Sequence, residues 1–252
     1  MVRDFDELVA EAAAAPMGGW DFSWLDGRAT EERPPWRYAR LMGERMARAR
    51  AALDIQTGGG EVLATAPRLP AVTVATEGWP PNLARAAATL HPRGVLVVAD
   101  RAEPPLPFAD GAFDLVVSRH PVHTWWDEIA RVLASGGTYL SQKVGPASVL
   151  ELIEFFRGPQ PAERRDARHP DRARAGAEAA GLTVVDLRTA RLRTEFYDVG
   201  AVVWFLRKVI WIVPGFTVPA YRSRLRELHD LIEQDGPFRA TTTRVLIEAR
   251  KA

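Results

Sequence analysis

The stretch Leu53-Asp54-Ile55-Gln56-Thr57-Gly58-Gly59-Gly60-Glu61-Val62-Leu63 decides the fold. Its apolar start predicts the end of a buried strand, and its last residues predict the start of a helix. The glycines between them allow a sharp turn, and they let a ligand approach bare main chain where a helix N-terminus offers free N–H groups. A tight turn without a ligand is the alternative that this stretch alone leaves open.

The rest of the chain continues this alternation. Short apolar runs predict five strands at 51–55, 72–76, 95–99, 115–118 and 138–142, and the segments between and after them predict helices at 60–65, 79–90, 125–133 and 148–156. Strands that are apolar on both faces are expected where helices cover both sides of a parallel sheet. Two further strands are predicted at 182–193 and 241–250, with a helical block at 199–233 between them.

Acidic residues follow the next two predicted strands. Glu77 comes directly after the second strand, and Asp100 directly after the third. Ligands of such sheets bind at the carboxyl ends of the strands, where a carboxylate can accept both hydroxyl groups of a ribose. The glycine turn, Glu77 and Asp100 together therefore predict a nucleoside site.

Composition and charge exclude several classes of function. The chain has 33 Lys and Arg against 32 Asp and Glu, and it has no cysteine. The balanced charge argues against nucleic-acid and membrane partners, and the lack of cysteine excludes a disulfide framework, a thiolate zinc site and a cysteine nucleophile. The polar start lacks the apolar run of a signal peptide, so we expect a cytoplasmic protein, monomeric or homodimeric.

The ordered set formed by the glycine turn, Glu77, Asp100, Leu106-Pro107-Phe108 and Phe113-Asp114-Leu115-Val116 resembles the class I S-adenosylmethionine-dependent methyltransferases. The segment 128–133, followed by Gly136-Gly137, resembles the helix and turn before their fifth strand. Within that class the chain is most similar, over residues 51–145, to the small-molecule group around the ubiquinone and menaquinone methyltransferases.

The resemblance implies an α/β fold with a Rossmann-like sheet of seven strands, mostly parallel, with an antiparallel last strand and helices on both faces. It implies a single domain over 1–252, whose core is formed by 51–195 and 238–252. The segment 1–50 would form an N-terminal helical cap, and 196–237 a helical lid inserted before the last strand.

The resemblance also implies the cofactor, S-adenosyl-L-methionine, with S-adenosyl-L-homocysteine as its product. Gly58 and Gly60 would lie beside the methionyl moiety, Glu77 would bind the ribose and Asp100 the adenine. Arg37 and Tyr38 are expected near the carboxylate end of the cofactor. The remaining predicted cofactor-binding residues are Asp54, Gln56, Gly78, Arg101, Ser118 and Arg119.

One residue departs from the family pattern Asp-x-Gly-x-Gly-x-Gly, because Gln56 stands where the first glycine is usual. Its side chain would either hydrogen-bond the amino-acid end of the cofactor or crowd it and reduce its affinity. In the second case the protein binds the cofactor without reacting.

Methyl transfer is an in-line displacement that mainly requires a close nucleophile and the exclusion of water. His120 and His123 are the predicted catalytic bases, since imidazole titrates near neutral pH and both follow the fourth strand. Each could equally be a hydrogen-bonded structural residue. No metal site is predicted, because no third ligand accompanies the two histidines.

Tryptophans are concentrated in the two flanking segments. We expect them to form an aromatic pocket with little water for a small aromatic or apolar substrate, although packing of the helices is the simpler role for each alone. The predicted substrate-binding residues are Trp20, Trp24, Trp125, Trp204 and Trp211.

The leading hypothesis is therefore methyl transfer to an O, N or C atom of a small metabolite. The alternative is a cofactor-binding protein of the same fold with a regulatory or non-methylating role. An NAD-dependent dehydrogenase is disfavoured, because its glycine spacing is Gly-x-Gly-x-x-Gly whereas Gly58, Gly59 and Gly60 are contiguous.

Overall fold

The computed structural model describes residues 3–100 and 103–252. Within these ranges the chain forms eight strands, which we number in chain order. They are β1 (Ala29–Glu31), β2 (Ala51–Asp54), β3 (Val72–Glu77), β4 (Leu96–Ala99), β5 (Phe113–Arg119), β6 (Leu133–Val144), β7 (Leu182–Phe196) and β8 (Phe238–Lys251).

Ten α-helices connect and flank these strands in the described part of the chain. They are α1 (Phe5–Ala14), α2 (Tyr38–Met46), α3 (Glu61–Ala64), α4 (Pro80–Leu90), α5 (Trp126–Val132), α6 (Leu150–Arg157), α7 (Ala162–Arg165), α8 (Pro170–Ala179), α9 (Val199–Lys208) and α10 (Val218–Asp235). None of the described helices is both long and apolar enough to span a membrane.

The strands form one sheet in the order β1-β7-β8-β6-β5-β2-β3-β4. Strands β2 to β6 are parallel to their neighbours within this group, and β8 is antiparallel to β6. The prediction of an α/β fold with a mostly parallel sheet and an antiparallel last strand is confirmed.

The sheet has one strand more than predicted. β1 lies in the segment 1–50, for which only helices were expected, and it pairs antiparallel with the end of β7. Three residues are too few to show the alternation that marks a strand in the sequence. The strand is stabilised by its pairing partner, which lies more than 160 residues further along the chain.

The chain divides into two compact units. The first contains residues 1–33, 147–167 and 191–243, and the second contains 34–146, 168–190 and 244–252. The long strands β7 and β8 contribute residues to both units. The first unit thus includes most of the segments predicted as cap and lid, while the second contains the glycine turn.

The first unit has its own apolar core. Helix α9 is almost wholly buried, and it packs with Phe5 and Leu8 of α1 and with Leu225 and Leu228 of α10. The Asp198 side chain caps α9 by accepting the backbone N–H of Ala201 at 2.7 Å, which satisfies one of the donors left free at a helix start.

The sheet of the second unit is covered on both faces, as its apolar strands predict. Successive residues of a strand point to opposite faces, so alternate positions belong to separate clusters. On what we call the α2 face, the sheet contacts Met42 and Met46 through Ala52, Leu115, Val117 and Leu140. On the α5 face, it contacts Ile129 through Leu53, Val116, Tyr139 and Ile247.

Asp114 fixes the start of β2 beside the start of β5. Its carboxylate accepts the backbone N–H of Ala51 at 2.8 Å and that of Arg50 at 3.0 Å. Partial burial acts to raise the pKa of Asp114, but the hydrogen bonds from Ala51 and Arg50 outweigh it and the pKa is lowered. The carboxylate is therefore ionised at neutral pH, in the form that accepts these bonds most strongly.

We expect Asp114→Ala to lower the free energy of unfolding by about 1–3 kcal/mol, because two backbone donors lose a charged acceptor. Urea denaturation at pH 7 measures this. Asp110→Ala is the matched control, since its side chain is 82% exposed and its ion pair with Arg131 should contribute less than about 1 kcal/mol. Equal losses in the two variants would contradict the role given to Asp114.

Candidate active site

The glycine turn after β2 depends on backbone conformations that favour glycine. Gly58 and Gly60 have φ angles of 67° and 81°, and Gln56 has a φ of 58°. A β-carbon added to Gly60 would lie 2.7 Å from the Leu90 side chain, closer than atoms pack in proteins. Glycine is therefore required at position 60, whereas Gln56 adopts the left-handed region at a cost of about 1–2 kcal/mol.

Glu77 joins this turn to the end of β3. Its carboxylate accepts the N–H of Gly58 at 2.8 Å and the N–H of Trp79, across Gly78, at 2.9 Å. The Glu77 carbonyl accepts the N–H of Asp100 at 3.0 Å, which places the end of β4 beside it. The three strand ends predicted to form a nucleoside site therefore lie next to one another. Arg101, also predicted to bind the cofactor, lies outside the described residues.

Three carboxylates are buried at this edge of the sheet. Asp54 is 6% exposed, and Glu77 and Asp100 are each 8% exposed. Burial raises the pKa of Asp54 to about 7; the 2.6 Å bond from the Thr57 hydroxyl opposes this shift and the charge of Glu77 adds to it. Buried carboxylates are costly unless they are hydrogen-bonded or meet a positive charge. The edge is therefore suited to a ligand that carries hydroxyl donors and a cationic group.

Tyr38 is buried close enough to Asp54 for the charge of that carboxylate to act on its hydroxyl. Its hydroxyl donates to the Ser118 carbonyl at 3.0 Å, and burial, with the charge of Asp54, raises its pKa well above the usual value. Tyr38 is thus a neutral donor at the start of α2. The structure brings Tyr38 and Ser118 together at the end of β5, where Arg119 follows.

Gln56 ties the glycine turn to the loop after β5. Its amide oxygen accepts the N–H of Val122 at 2.6 Å, and its amide nitrogen donates to the His123 carbonyl at 2.9 Å. Both ends of the amide are therefore engaged by the backbone of one loop. This contact accounts for a glutamine at a position where the backbone favours glycine.

We expect Gln56→Gly to relieve the backbone strain but to release this loop, because glycine has no side-chain amide to bond to its backbone. Amide hydrogen exchange should show faster exchange at Val122, by about tenfold or more for the loss of one hydrogen bond. Exchange at Gly58, whose N–H donates to Glu77, serves as the internal control. Unchanged exchange at Val122 would show that the loop is held by other contacts.

The His120 ring is held by a chain of side chains on the α2 face. The Trp36 indole N–H donates to the Gln142 amide oxygen at 2.8 Å, and the Gln142 amide nitrogen lies 3.1 Å from His120 Nε2. An indole N–H can only donate, so the Gln142 oxygen faces Trp36 and its NH₂ group faces His120. His120 Nε2 is therefore the acceptor, and the ring proton is on Nδ1.

The two predicted catalytic histidines differ in their surroundings. Burial, followed by the charges of Arg119, Arg244 and Arg168, holds the pKa of His120 well below its usual value, so the ring is neutral. The His123 side chain is exposed and stacks on Trp125, with ring centroids 6.4 Å apart. Both lie in the loop that Gln56 holds, and their catalytic roles stay predictions.

Comparison with known families identifies part of the chain. Residues 53–141, which contain the glycine turn, Glu77, Asp100 and β5, match a family described as a methyltransferase domain. This segment is therefore similar to methyltransferase domains. The predicted resemblance to the class I S-adenosylmethionine-dependent methyltransferases is confirmed, and with it the class of cofactor that such domains use.

Several solved structures share the fold of this chain. A candidate methyltransferase of Bacillus halodurans C-125 is 22% identical, with a TM-score of 0.61 over 86% of this chain and 99% of that one. The [4+2]-cyclase SpnF is 18% identical, with a TM-score of 0.52 over 98% and 92%.

A third structure contains a product of methyl transfer. Phosphoethanolamine N-methyltransferase 2 of Haemonchus contortus, solved with phosphomonomethylethanolamine and S-adenosylhomocysteine, is 17% identical, with a TM-score of 0.50 over 86% of this chain and 52% of that one. At these identities the likeness concerns the fold alone. No curated protein sequence matches the chain.

Four of the five tryptophans predicted to bind substrate lie in the first unit, outside the unit that contains the methyltransferase domain. Trp24 stacks on Trp204 with ring centroids 5.7 Å apart, and Trp20 meets the edge of Trp211 at 5.6 Å. Trp125 alone shares a unit with the glycine turn. The aromatic pocket therefore stays a prediction.

Two polar residues of β6 escaped the sequence analysis, Gln142 and Lys143. Lys143 points to the α5 face, where its Nζ donates to the Thr124 hydroxyl and lies 4.8 Å from the Trp126 ring centroid. Burial lowers the pKa of Lys143 to about 7, so the amine is neutral in part at neutral pH and can accept a proton. Extending the predicted strand by one residue would have placed it at the same edge.

We expect the pKa of Lys143 to make stability depend on pH. The unfolded lysine titrates near 10.4, so between about pH 7 and pH 10 the unfolded chain binds more protons and the free energy of unfolding rises with pH. Lys143→Met should remove this rise. The difference in the free energy of unfolding between wild type and variant should therefore change by about 1–2 kcal/mol from pH 7 to pH 9, after allowance for the partial exposure of the side chain.

Urea denaturation at several pH values measures this difference. Lys251→Met, at the end of β8, is the matched control and should leave the pH profile of the wild type unchanged. Parallel profiles for wild type and Lys143→Met would show that Lys143 keeps the pKa of an exposed lysine.

Proposed function

We propose that the protein binds S-adenosylmethionine at the carboxyl ends of β2, β3 and β4 and transfers its methyl group to a small molecule. The observation that carries this proposal is the bridge formed by Glu77 between the N–H groups of Gly58 and Trp79. It holds a buried carboxylate beside a glycine turn, at the point where the following strand ends in Asp100.

The residues present fit this cofactor. A carboxylate can accept about four hydrogen bonds, so Glu77 retains capacity for two ribose hydroxyls after its two backbone bonds. Asp100 would accept from an adenine amino group, and the bare main chain at Gly58 would leave room for the methionyl moiety. The sulfonium is cationic, which suits an edge that carries three buried carboxylates.

The bound cofactor supplies an electrophilic methyl group, and the protein then has to orient the acceptor and exclude water. Tyr38 holds the end of β5 by its bond to the Ser118 carbonyl. Gln56 holds the loop that carries His120 and His123 against the glycine turn. Together these two contacts would hold the end of β5 and the histidine loop at a fixed distance from the bound cofactor.

The acceptor is proposed to be a small aromatic or apolar metabolite, methylated at an O, N or C atom. Of the two predicted bases, His120 would have to release Gln142 to take a proton on Nε2, whereas the His123 ring is exposed. Lys143 is a third candidate base, because its amine is neutral in part at neutral pH and contacts Thr124 of the same loop. A cytoplasmic location, a monomeric or homodimeric state and the lack of nucleic-acid or membrane partners stay predictions.

We expect calorimetry to detect binding of S-adenosylmethionine, and Glu77→Ala to weaken it by at least about tenfold, since the ribose and the turn both lose an acceptor. The preference for the cationic cofactor over the neutral S-adenosylhomocysteine should be larger at pH 8 than at pH 6. At pH 8 Asp54, with a pKa of about 7, is ionised, and at pH 6 it is largely protonated.

Asp171→Asn is the control, because this carboxylate lies on α8 with its side chain 77% exposed. It should bind the cofactor as the wild type does. Failure of the wild type to bind S-adenosylmethionine would overturn the proposal.

The second candidate is a cofactor-binding protein that does not methylate. Gln56 in the glycine turn supports it, and so does the fold that the chain shares with the [4+2]-cyclase SpnF. Bound S-adenosylmethionine that never becomes S-adenosylhomocysteine across a panel of phenols, amines and carboxylic acids would favour this candidate.

A further inference from the structure

We propose that basic residues around the ends of β5 and β6 form a binding subsite for a carboxylate of the acceptor substrate. The subsite consists of Arg119 of β5 and Arg244 of β8 with the ring of His120. This inference rests on the proposed function, and it names the chemical class of the acceptor.

Strand register brings the first part of this subsite together. Arg119 of β5 lies directly opposite Gln142 of β6, and Arg244 of β8 lies opposite Val144. Directly opposed residues share a face, as do residues two apart in one strand. Arg119, Gln142 and Arg244 therefore lie on the α2 face, with Arg119 beside Gln142 and Arg244 about 7–8 Å diagonally from it.

His120 is fixed in the same place. Its backbone N–H donates to the Gln142 carbonyl at 2.7 Å, and its Nε2 meets the Gln142 amide. The ring proton is therefore on Nδ1, which makes His120 a neutral donor beside charged donors. A neutral N–H and planar guanidinium groups are the partners that a carboxylate selects.

Electrostatics supports this arrangement. The charges that act on His120 are those of three guanidinium groups, Arg119, Arg244 and Arg168. Arg119 also acts on the Tyr38 hydroxyl, which lies on the same face. Arg244 is only 8% exposed, so its field is weakly screened by solvent. Positive charge is therefore concentrated about the His120 ring.

The position of the subsite favours the acceptor over the cofactor as the source of the carboxylate. In the order β4-β3-β2-β5-β6-β8, the ends of β4, β3 and β2 carry the residues proposed for adenine, ribose and the methionyl group. Arg119 lies at the end of β5 and Arg244 lies on β8, so both are further along the sheet from β4 than these residues are. The amino-acid carboxylate of the cofactor is the competing source, and the experiment separates the two.

The experiment uses benzoate as the probe and benzamide as its uncharged match, with protein labelled at its histidines and observed by NMR. His120→Gln assigns the His120 signal. Benzoate should bind at least about tenfold more tightly than benzamide, and it should raise the pKa of His120 because its negative charge stabilises the imidazolium. Equal binding of the two probes would overturn the proposal.

Arg244→Gln should remove the preference for benzoate, whereas Arg244→Lys, which keeps the charge, should retain part of it. If Arg244→Gln does not fold, Arg119→Gln replaces it, since this side chain is exposed. Arg250→Gln is the matched control: Arg250 lies on the same strand and face, six residues or about 20 Å away, and its loss should change nothing. Retained preference in Arg244→Gln and Arg119→Gln would refute the subsite.

A last arm repeats the benzoate titration with saturating S-adenosylhomocysteine. Benzoate that binds the loaded protein supports an acceptor carboxylate, and benzoate displaced by S-adenosylhomocysteine overturns that assignment in favour of the cofactor. Binding of S-adenosylmethionine is measured on the same samples. If the protein binds benzoate but does not bind S-adenosylmethionine, the proposed function is contradicted and the carboxylate subsite is not.

Discussion

The carboxylate of Glu77 is the interaction on which the site depends. By accepting the N–H groups of Gly58 and Trp79, it holds the turn after β2 against the turn after β3. The backbone carbonyl of Glu77 accepts the N–H of Asp100, which holds the residue after β4 in place as well. Without it, two partly buried backbone N–H groups would lose a charged acceptor, which costs about 1–3 kcal/mol each. One side chain therefore stabilises the edge and, in the proposed function, also positions the ligand.

The carboxyl edge of the sheet changes its charge between β2 and β5. The carboxylates of Asp54, Glu77 and Asp100 lie at the ends of β2, β3 and β4, and the guanidinium groups lie about β5, β6 and β8. Gln56 lies between the two regions of charge, because it belongs to the glycine turn after β2 and its side chain holds the loop after β5. Such a polarity would suit the cationic methyl donor and the anionic acceptor that we propose, because it would favour one relative orientation of the two.

Much of this edge could be predicted because it follows from chain order. Apolar runs alternating with helices imply parallel strands, and parallel strands bring Gly58, Glu77 and Asp100 to one edge. The contacts of Gln56 could not be predicted, since they depend on the backbone path of 122–123, about 66 residues away. The chain from Trp36 through Gln142 to His120 spans more than 100 residues and has no local sequence signal. Strand β1 was missed for the same reason.

The tautomer of His120 bears on how an acceptor is activated. Because Trp36 can only donate, Gln142 must present its NH₂ group to Nε2, and a base that accepts there would first have to break this bond. Protonation would also place an imidazolium among three guanidinium groups, which burial makes more costly. The same positive field lowers the pKa of an acidic acceptor and favours its anion. An acceptor that is bound already deprotonated needs no base, so the proposed arginine subsite is an alternative to proton transfer by His120, whose catalytic role stays a prediction.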